Sequence, residues 1–570
     1  MSFLLPALAL SGLLSGAAQA AEDDYDFELE GYYRLRGYRF RDLVDEQDGV
    51  GNFMSMRLRV QPQLNFQDRA KFFMMMDLLD DVVAGDNMSL LPASVFAQDP
   101  SFTRMEGQNQ DFFQRSTAAP MVKRAWMEFK LPVGTMRVGR QESNWGMGIL
   151  SNAGNGFDDS FGENHYGSTF DRVIFATNPV SIAQTIAGKR VTNFPLFMAV
   201  GVDRLVEDPL ETYYGYQCAT KDSVGDYIGQ TLPDGSINPE YDKRCDTFDN
   251  LAQTPGTDGY HDLDHDYTEP RDPINRTDDW WVDSKDDAWE MVYLAIFKGE
   301  DRPMFGSTGD FTLGAYAIDR RQIESDSRVQ IYDAYTKFLW KGIYLEGEVL
   351  NIRGKSSGLA LPGTYDPASK LDNPLAKDVN IWGWVARGGY IKPAYQGIFE
   401  AGFSSGDANV ADGELTGRSL HPDYNVGLLL YEEVLARVTS RTWGSGATPL
   451  WSQGGVWNSL YVFPNASIRP TEGLELTGAY LLAWPHEPDG SRIRCGKDDG
   501  VSCEQPYDGE LAKEIGWEAD FAAKYKFAKH MLFSAEVGYA QVSNRVPLEN
   551  LGLNPNGKFF TSQYRIAYEF

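Results

Sequence analysis

The segment from Phe559 to Phe570, FFTSQYRIAYEF, decides the fold because its apolar and polar side chains alternate. Successive side chains of a β-strand point to opposite faces, so each face receives every second residue. One face is apolar and carries Phe560, Tyr564, Ile566, Tyr568 and Phe570. The other face is polar and carries Gln563, Arg565 and Glu569. The pattern predicts a strand with one apolar and one polar face, although an ordinary amphipathic edge strand that ends in Phe remains an alternative.

The same alternation recurs along the chain, for example over 54–67, 471–483 and 516–527. A soluble β-sandwich also alternates, but many of its connections are comparable in length. A transmembrane β-barrel requires strands of roughly 9–11 residues, joined by short turns on one side and long loops on the other. Connection length therefore separates the two folds.

Eighteen strands fit the alternation. Their predicted ranges are 27–38, 54–67, 71–79, 122–131, 134–141, 171–178, 194–203, 288–299, 309–320, 329–340, 342–353, 379–391, 394–404, 455–466, 471–483, 516–527, 531–542 and 559–570. Short linkers at 68–70, 132–133, 392–393 and 528–530 alternate with long ones at 80–121, 142–170, 204–287, 405–454 and 484–515. We therefore predict an all-β fold, a closed antiparallel transmembrane barrel with short periplasmic turns, long extracellular loops and periplasmic termini. The linker 179–193 is longer than this scheme expects and could hide a misplaced strand.

Composition excludes several other classes. The 570 residues carry a net charge of −29, which disfavours nucleic-acid binding. The sequence contains no internal run of 18 apolar residues, so no transmembrane helix is predicted. An aromatic content of 13% argues against disorder and suits lipid-facing rows and interface girdles.

The first 20 residues lack acidic and basic side chains and end in small residues, which predicts a signal peptide at 1–20 and a mature barrel at 21–570. A buried apolar helix is the alternative. There is no cysteine near residue 20, so the sequence does not predict a lipoprotein anchor.

Two predicted outer loops have special composition. Loop 204–287 is strongly acidic; its residues 205–287 contain 21 acidic and six basic side chains, a net of −15. Within loop 405–454, the apolar spacing over 426–438 is helical, which predicts a loop helix that folds into or caps the barrel mouth. A further strand there is the alternative.

All four cysteines lie in predicted outer loops, Cys218 with Cys245 and Cys495 with Cys503. The even number, the local pairing and an oxidising compartment favour two disulfides. Metal binding is the alternative, but no CxxC or nearby histidine pair supports it.

A run of carboxylates in loop 204–287 superficially suits Ca²⁺, which prefers oxygen ligands: Asp262, Asp264, Asp266 and Glu269. The EF-hand glycine position is Tyr267, so a solvated acidic loop is the favoured interpretation. The loop could also hold divalent cations diffusely and bridge to lipopolysaccharide phosphates. No other cofactor is expected.

No nucleotide loop, HExxH or GxSxG motif is present, and the six histidines form no obvious triad in sequence. We therefore expect no enzymatic activity. A barrel-embedded hydrolase would need a serine and a histidine that meet in space, which sequence alone does not test.

Charged residues at inward-facing strand positions are the candidate pore lining, because charge on the lipid face is costly. The basic candidates lie on early strands: Arg34, Arg36, Arg57, Arg59, Arg124 and Arg137. The acidic candidates lie on later strands: Glu346, Glu348, Glu400 and Glu475. Facing basic and acidic walls would orient a polar solute. Alternatively, the side chains pair with neighbours such as Glu28, Glu30 and Glu128 and simply fill a polar interior.

Three segments carry a family resemblance. The C-terminal strand resembles the closing strand of bacterial outer-membrane barrels, which implies an assembly signal at Tyr564, Ile566, Tyr568 and Phe570. Residues 136–150, MRVGRQESNWGMGIL, resemble a motif of porin-like barrels related to alginate exporters, and 405–409 with 421–425 look like a loop of such groups. The resemblance implies an eighteen-stranded channel with Arg140 near the pore. Alginate exporters have a basic pore, so the acidic wall here departs from that pattern and the substrate is not carried over.

The sequence thus predicts an outer-membrane channel for passive passage of a hydrophilic solute or for export of a charged polymer. Its expected partners are the lipid bilayer, lipopolysaccharide, the barrel-assembly machinery and the transported solute or polyanion, without nucleic acid. A surface structural or adhesion protein anchored by its barrel is the first alternative, and a barrel-embedded enzyme the second.

Overall fold

The computed structural model describes most of the chain outside the long connections. The described residues are 25–43, 50–67, 69–85, 121–155, 161–164, 167–190, 194–205, 288–322, 327–356, 377–407, 414–436, 452, 454–488, 514–543, 546, 548 and 553–570. Among them, no helix is both long enough and apolar enough to cross a membrane.

The described chain forms nineteen strands and two short helices. The strands are β1 Tyr25–Arg41, β2 Val50–Phe66, β3 Ala70–Val83, β4 Met121–Leu131, β5 Gly134–Glu142, β6 Thr169–Thr177, β7 Leu196–Leu205, β8 Trp289–Met304, β9 Ser307–Gln322, β10 Ser327–Trp340, β11 Ile343–Ser356, β12 Lys377–Lys392, β13 Tyr395–Ser404, β14 Glu414–Leu415, β15 Ser459–Thr471, β16 Leu474–Pro485, β17 Gly516–Phe527, β18 Met531–Val542 and β19 Lys558–Glu569. The helices are α1, Pro179–Ile186, and a π-helix, Leu430–Leu435.

Eighteen of these strands close into an antiparallel barrel. Each strand pairs with its neighbours in chain order, and β19 returns to β1 with a register from Tyr32 opposite Glu569 to Arg41 opposite Phe560. The two-residue β14 lies apart from this order and pairs in parallel with β12. Closure leaves no exposed strand edge, as a sheet in lipid requires. The predicted fold class and strand number are therefore confirmed.

The connections divide between the two ends of the barrel as predicted. At one end, called here the turn end, seven connections have two or three residues, such as 132–133 and 341–342. The eighth is 178–195, where the suspected misplaced strand is in fact α1. Asn178 caps this helix by accepting a hydrogen bond from the Ser181 amide at 3.0 Å, and Pro179 opens it. The opposite end, the loop end, carries the long connections.

The two faces of the wall differ in polarity. The outer face exposes apolar and aromatic side chains such as Val173, Tyr293 and Tyr564. The inner face is polar, except toward the loop end, where a buried apolar cluster fills the lumen. This cluster joins wall residues such as Ile331 to Trp145 and Leu429 from two connections that fold inward. An apolar belt around a polar interior is the pattern of an outer-membrane barrel.

Helical spacing over 426–438 correctly predicted a helix in the β13–β15 connection. The π-helix Leu430–Leu435 lies inside the barrel with Leu430, Tyr431 and Val434 buried. The alternative of a further strand is wrong for these residues. Their apolar side chains face other apolar groups on several sides, which a helix allows and a two-faced strand does not.

Candidate functional site

The barrel lumen is the candidate site, and its best-defined feature is a cluster of buried arginines. Arg34 and Arg36 on β1 and Arg57 and Arg59 on β2 occupy alternate inward positions, and all four side chains are buried. They are packed against 154–155 and 161–164, two parts of the β5–β6 connection 143–168 that folds inward. They therefore face this segment of the protein and not an open lumen.

Every arginine of this cluster is paired with a carboxylate. Arg34 bonds both Asp81 and Glu163, Arg57 bonds Asp81, and Arg36 bonds Glu163 at 2.6 Å. A second pair is bidentate: Arg59 donates to the two carboxylate oxygens of Asp77 at 2.8 and 2.9 Å.

Buried charges persist in proteins when they are paired in this way. Of the two interpretations of the early arginines, the described contacts favour a filled polar interior over an exposed basic wall.

The acids that hold the arginines were not predicted from the sequence. Asp77 and Asp81 lie on β3, where register shifts against β2 and β4 interrupt strict alternation. Glu163 lies in a long connection and reaches Arg34 over 129 positions of sequence. The only sequence signal was the excess of acidic side chains near the basic strands, which does not select a partner.

The remaining predicted basic residues lie in different environments. Arg124 is buried and bonds Glu142 at 2.7 Å. Arg137 is partly exposed on the inner face and bonds Glu128 at 2.8 Å, the neighbour that the sequence suggested. Arg140 instead pairs in register with Asp171, two positions from the outward Val138–Val173 pair, and bonds it at 2.8 Å. Arg140 therefore shares the outward side of its strand with Val138.

Tyrosines accompany the predicted acidic residues. Glu400 is buried and accepts hydrogen bonds from Tyr461 at 2.6 Å, from Tyr424 at 3.0 Å and from Arg387 at 2.6 Å. Glu346 accepts from Tyr335 at 2.6 Å. These carboxylates are satisfied by donors of the wall and of the β13–β15 connection.

Glu475 lies apart from them near the turn end, where it is partly exposed and bonds Arg469 at 2.6 Å.

Glu348 performs a different task. Together with Asp333 on the neighbouring strand, it holds the inward connection 143–168: the Met147 amide donates to Glu348, and the Trp145 indole donates to Asp333 at 2.7 Å. The Trp145 ring lies against Gly314, where a Cβ atom would approach it to 2.6 Å. The lack of a side chain at Gly314 thus makes room for the indole.

A second carboxylate holds the β13–β15 connection. Glu518 on β17 is fully buried and accepts three successive backbone amides, from Leu428 at 2.5 Å, Leu429 at 2.8 Å and Leu430 at 2.7 Å. These amides open the π-helix and would otherwise lack acceptors. We call this arrangement the Glu518 clasp. Sequence reasoning missed it because Glu518 is about ninety positions away.

Ser168, His421 and Asp423 meet where the two inward connections touch. Ser168 Oγ lies 2.9 Å from His421 Nε2, and Asp423 lies next to the ring. However, the Asp423 amide donates to His421 Nδ1 at 3.1 Å, so the ring proton is on Nε2 and points at Ser168. A general base needs the opposite tautomer.

Burial lowers the pKa of His421, which keeps the ring neutral. The arrangement therefore ties the two connections together and lacks the geometry of a hydrolase triad.

Toward the turn end, inward charged side chains are exposed. Lys337 on β10 is 47% exposed and Lys526 on β17 is 55% exposed, although both lie on the inner face. We call this region, the inner wall between the inward connections and the turn end, the vestibule. Exposed ammonium groups inside a barrel indicate that water fills the vestibule.

Several predicted residues lie outside the described part of the chain. They are the four cysteines, the carboxylates Asp262, Asp264, Asp266 and Glu269, and the signal segment 1–20. Within the described part, no group of three or more histidine, cysteine or acidic side chains is arranged to hold a metal ion. The disulfides and the calcium site therefore stay predictions.

The chain was compared with known proteins. No protein-family model and no curated protein matches the sequence. Solved structures from Pseudomonas aeruginosa are similar over 95% of this chain. OccK5 (OpdH) has a TM-score of 0.43 at 9% identity over 98% of its length, and OpdK with vanillate has the same values. OccK2 (OpdF) in complex with glucuronate has a TM-score of 0.41 at 9% identity over 98% of its length. At these values we transfer no substrate to this chain.

Proposed function

We propose that this protein is an outer-membrane channel for passive passage of small hydrophilic solutes. The observation that carries the proposal is the vestibule, where charged side chains inside the barrel remain in contact with water. A barrel that served only as an anchor would have no need of a solvated, charged interior.

The vestibule carries charges of both signs. Its inward basic side chains are Lys71, Lys130, Arg137, Lys298, Lys337, Arg387, Arg469, Lys524 and Lys526. Its inward acidic side chains are Asp26, Glu28, Glu30, Glu128, Glu300, Asp310, Glu346, Glu400, Glu475 and Glu569. Charged side chains on the wall of a water-filled passage attract and orient polar solutes.

The two inward connections favour a small solute over a polymer. They pack into the loop half of the lumen with Trp145, Leu429 and Tyr431 buried. A polymer chain would require both connections to leave, whereas a small molecule needs only a gap at their edges. Export of a charged polymer is therefore the less favoured form of the proposal.

Ion selectivity in planar bilayers tests this function. Under a salt gradient, we expect the purified protein to conduct ions, and Lys337→Glu/Lys524→Glu to shift its reversal potential toward cation preference. The matched control, Arg39→Glu/Arg41→Glu, changes two exposed basic residues on the outer face of β1 and should leave the reversal potential unchanged. Equal reversal potentials for the wild type and the vestibule variant would refute the proposed role of the vestibule.

A surface anchor is the second candidate, and the apolar cluster inside the barrel favours it. A plug held by Glu348, Glu518 and a core of aliphatic side chains resembles a folded interior more than a passage. The two candidates differ in the conductance of the wild type, because an anchor with a filled lumen would conduct no ions while its inward connections are in place. We propose no catalytic role, since the one serine–histidine contact described above has the wrong tautomer.

The proposed location is the outer membrane, with the termini and the turn end in the periplasm. Tyr564, Ile566, Tyr568 and Phe570 lie exposed on the outer face of the closing strand, where the barrel-assembly machinery could recognise them. Alanine substitution of Phe570 tests this role: the amount of heat-modifiable barrel in outer-membrane fractions should fall. A normal amount of heat-modifiable barrel would show that Phe570 is not part of the assembly signal.

A further inference from the structure

Three basic side chains stand in one row on the outer face near the loop end. In the strand register, Arg328 of β10 lies directly opposite Arg321 of β9 on one side and Lys355 of β11 on the other. Their side chains are 57%, 60% and 73% exposed for Arg321, Arg328 and Lys355, respectively. Like charges directly opposite one another destabilise a sheet. A row of three on adjacent strands therefore calls for a compensating anion.

The carboxylates near the row compensate it only in part. Asp319 accepts from Arg321 at 2.6 Å and lies 3.4 Å from Arg328, so one carboxylate serves two guanidinium groups. Lys355 lies 3.2 Å from Asp378, and both of these side chains are well exposed. Arg353 adds another positive charge two positions along β11, and its guanidinium lies 4.7 Å from the centre of the Tyr332 ring. The patch is thus net positive on a surface that borders lipid.

An apolar groove begins directly below this row. Its volume is about 750 Å³, and Arg353 and Tyr332 belong to its lining together with residues farther from the loop end. Ala315 forms its floor, directly between Ala295 and Ala334 on the neighbouring strands. Its rim is formed by exposed aromatic side chains, Tyr293, Tyr332 and Trp382.

We propose that this surface binds one phosphate-bearing lipid of the outer leaflet, of the lipid A type, with its phosphates on the basic row and an acyl chain in the groove. Guanidinium groups bind phosphate through paired hydrogen bonds, and neighbouring strands spaced about 4.8 Å apart let two basic side chains reach one phosphate. The alanine floor lies six residues below the row, from Arg321 to Ala315 on β9 and from Arg328 to Ala334 on β10, which is about 20 Å along a strand and a distance that an acyl chain spans. In such a lipid the phosphates lie nearer the membrane surface than the acyl chains, and on this face of the barrel the basic row likewise lies nearer the loop end than the apolar groove.

Binding of bisphosphorylated lipid A to the purified barrel in detergent, followed by native mass spectrometry, tests the proposal. Arg321→Ala/Arg328→Ala should weaken binding at least tenfold. The matched control is Arg39→Ala/Arg41→Ala, which removes two exposed arginines from the outer face of β1 on the far side of the barrel. The control should bind within twofold of the wild type. Equal weakening in both variants, or none in the first, would overturn the proposal.

A second pair of variants tests the groove. Ala315→Trp fills its floor without changing charge and should weaken binding at least fivefold, whereas Ala466→Trp at an exposed outward position of β15 should not. A groove variant that binds as the wild type does would contradict the acyl-chain position. Heat-modifiable mobility on gels verifies that each variant retains its barrel.

Two probes identify the ligand chemistry. Lipid A without its phosphates should bind at least tenfold more weakly to the wild type, and inorganic phosphate at the same concentration should not displace lipid A. Displacement by inorganic phosphate would show that the basic row binds a free anion, and it would overturn the proposal that a lipid binds there. Because conductance plays no part in these measurements, their outcome is separate from that of the proposed channel.

Discussion

Replacing Glu518 with alanine should release the inward β13–β15 connection from the barrel wall. The carboxylate accepts the amides of Leu428, Leu429 and Leu430, and all of these groups are buried. A hydrogen bond to a charged group contributes about 1.5–3 kcal/mol, so three contribute roughly 5–9 kcal/mol. Water or neighbouring groups can accept part of the freed amides, so we expect a net loss of about 4 kcal/mol.

Hydrogen exchange of the backbone amides measures this loss directly. Since 1.4 kcal/mol corresponds to a factor of ten, the protection of Leu428, Leu429 and Leu430 should fall by about 10³-fold. Asp520→Asn is the matched control, because Asp520 lies on the same strand face but accepts none of these amides; its effect should stay below about tenfold. If protection in Glu518→Ala stays within about threefold of the wild type while the barrel remains folded, the clasp does not hold the connection.

Further predictions concern the buried network, the packing and the pH dependence. Arg57→Ala leaves Asp81 with one cation fewer and should lower the unfolding free energy, measured by urea titration, by about 3–5 kcal/mol. Arg137→Ala breaks a partly exposed pair and should lower it by at most about 1 kcal/mol. Equal effects of the two substitutions would contradict the buried network. Gly314→Ala places a Cβ atom against the buried Trp145 indole and should destabilise the folded protein by about 1–3 kcal/mol. Gly397→Ala has no atom within 4 Å of its Cβ and should not destabilise it. The urea midpoints of the two variants measure the difference. Burial lowers the pKa of His421 below its unfolded value of about 6.5, so protonation favours the unfolded state. The stability difference between the wild type and His421→Gln should therefore shrink as the pH falls from about 7.5 to 5.5. A difference that is constant with pH would mean that the ring is not neutral and buried.

The sequence predicted the barrel wall well because alternation is a local property of a strand. The closing strand, predicted over 559–570, is found at Lys558–Glu569, and the strand predicted over 516–527 is found at Gly516–Phe527. Each pattern reports which side of the wall faces lipid, and lipid tolerates few exceptions. The error at 179–193 arose because a short capped helix can also bridge two strands at the turn end.

The interior was not predictable to the same degree, because its contacts join distant parts of the chain. Alternation placed Arg34 and Arg36 on the inner face, but nothing local indicated that Glu163 would cover them. Trp145 belongs to a segment noticed only for its family resemblance, and its position depends on Gly314 of β9. Whether an inward charge meets water or a folded connection depends on which loops enter the lumen, and strand periodicity carries no information on that.

Single-channel conductance of the purified protein in planar bilayers tests the central claim most directly. The comparison is between the wild type and a variant in which 420–436 is replaced by a glycine–serine linker of equal length. We expect discrete conductance steps in both, larger in the variant because the lumen loses part of its filling. No conductance in the wild type, with its heat-modifiable barrel intact, would contradict a channel and leave a plugged barrel that serves as an anchor, whatever the variant conducts.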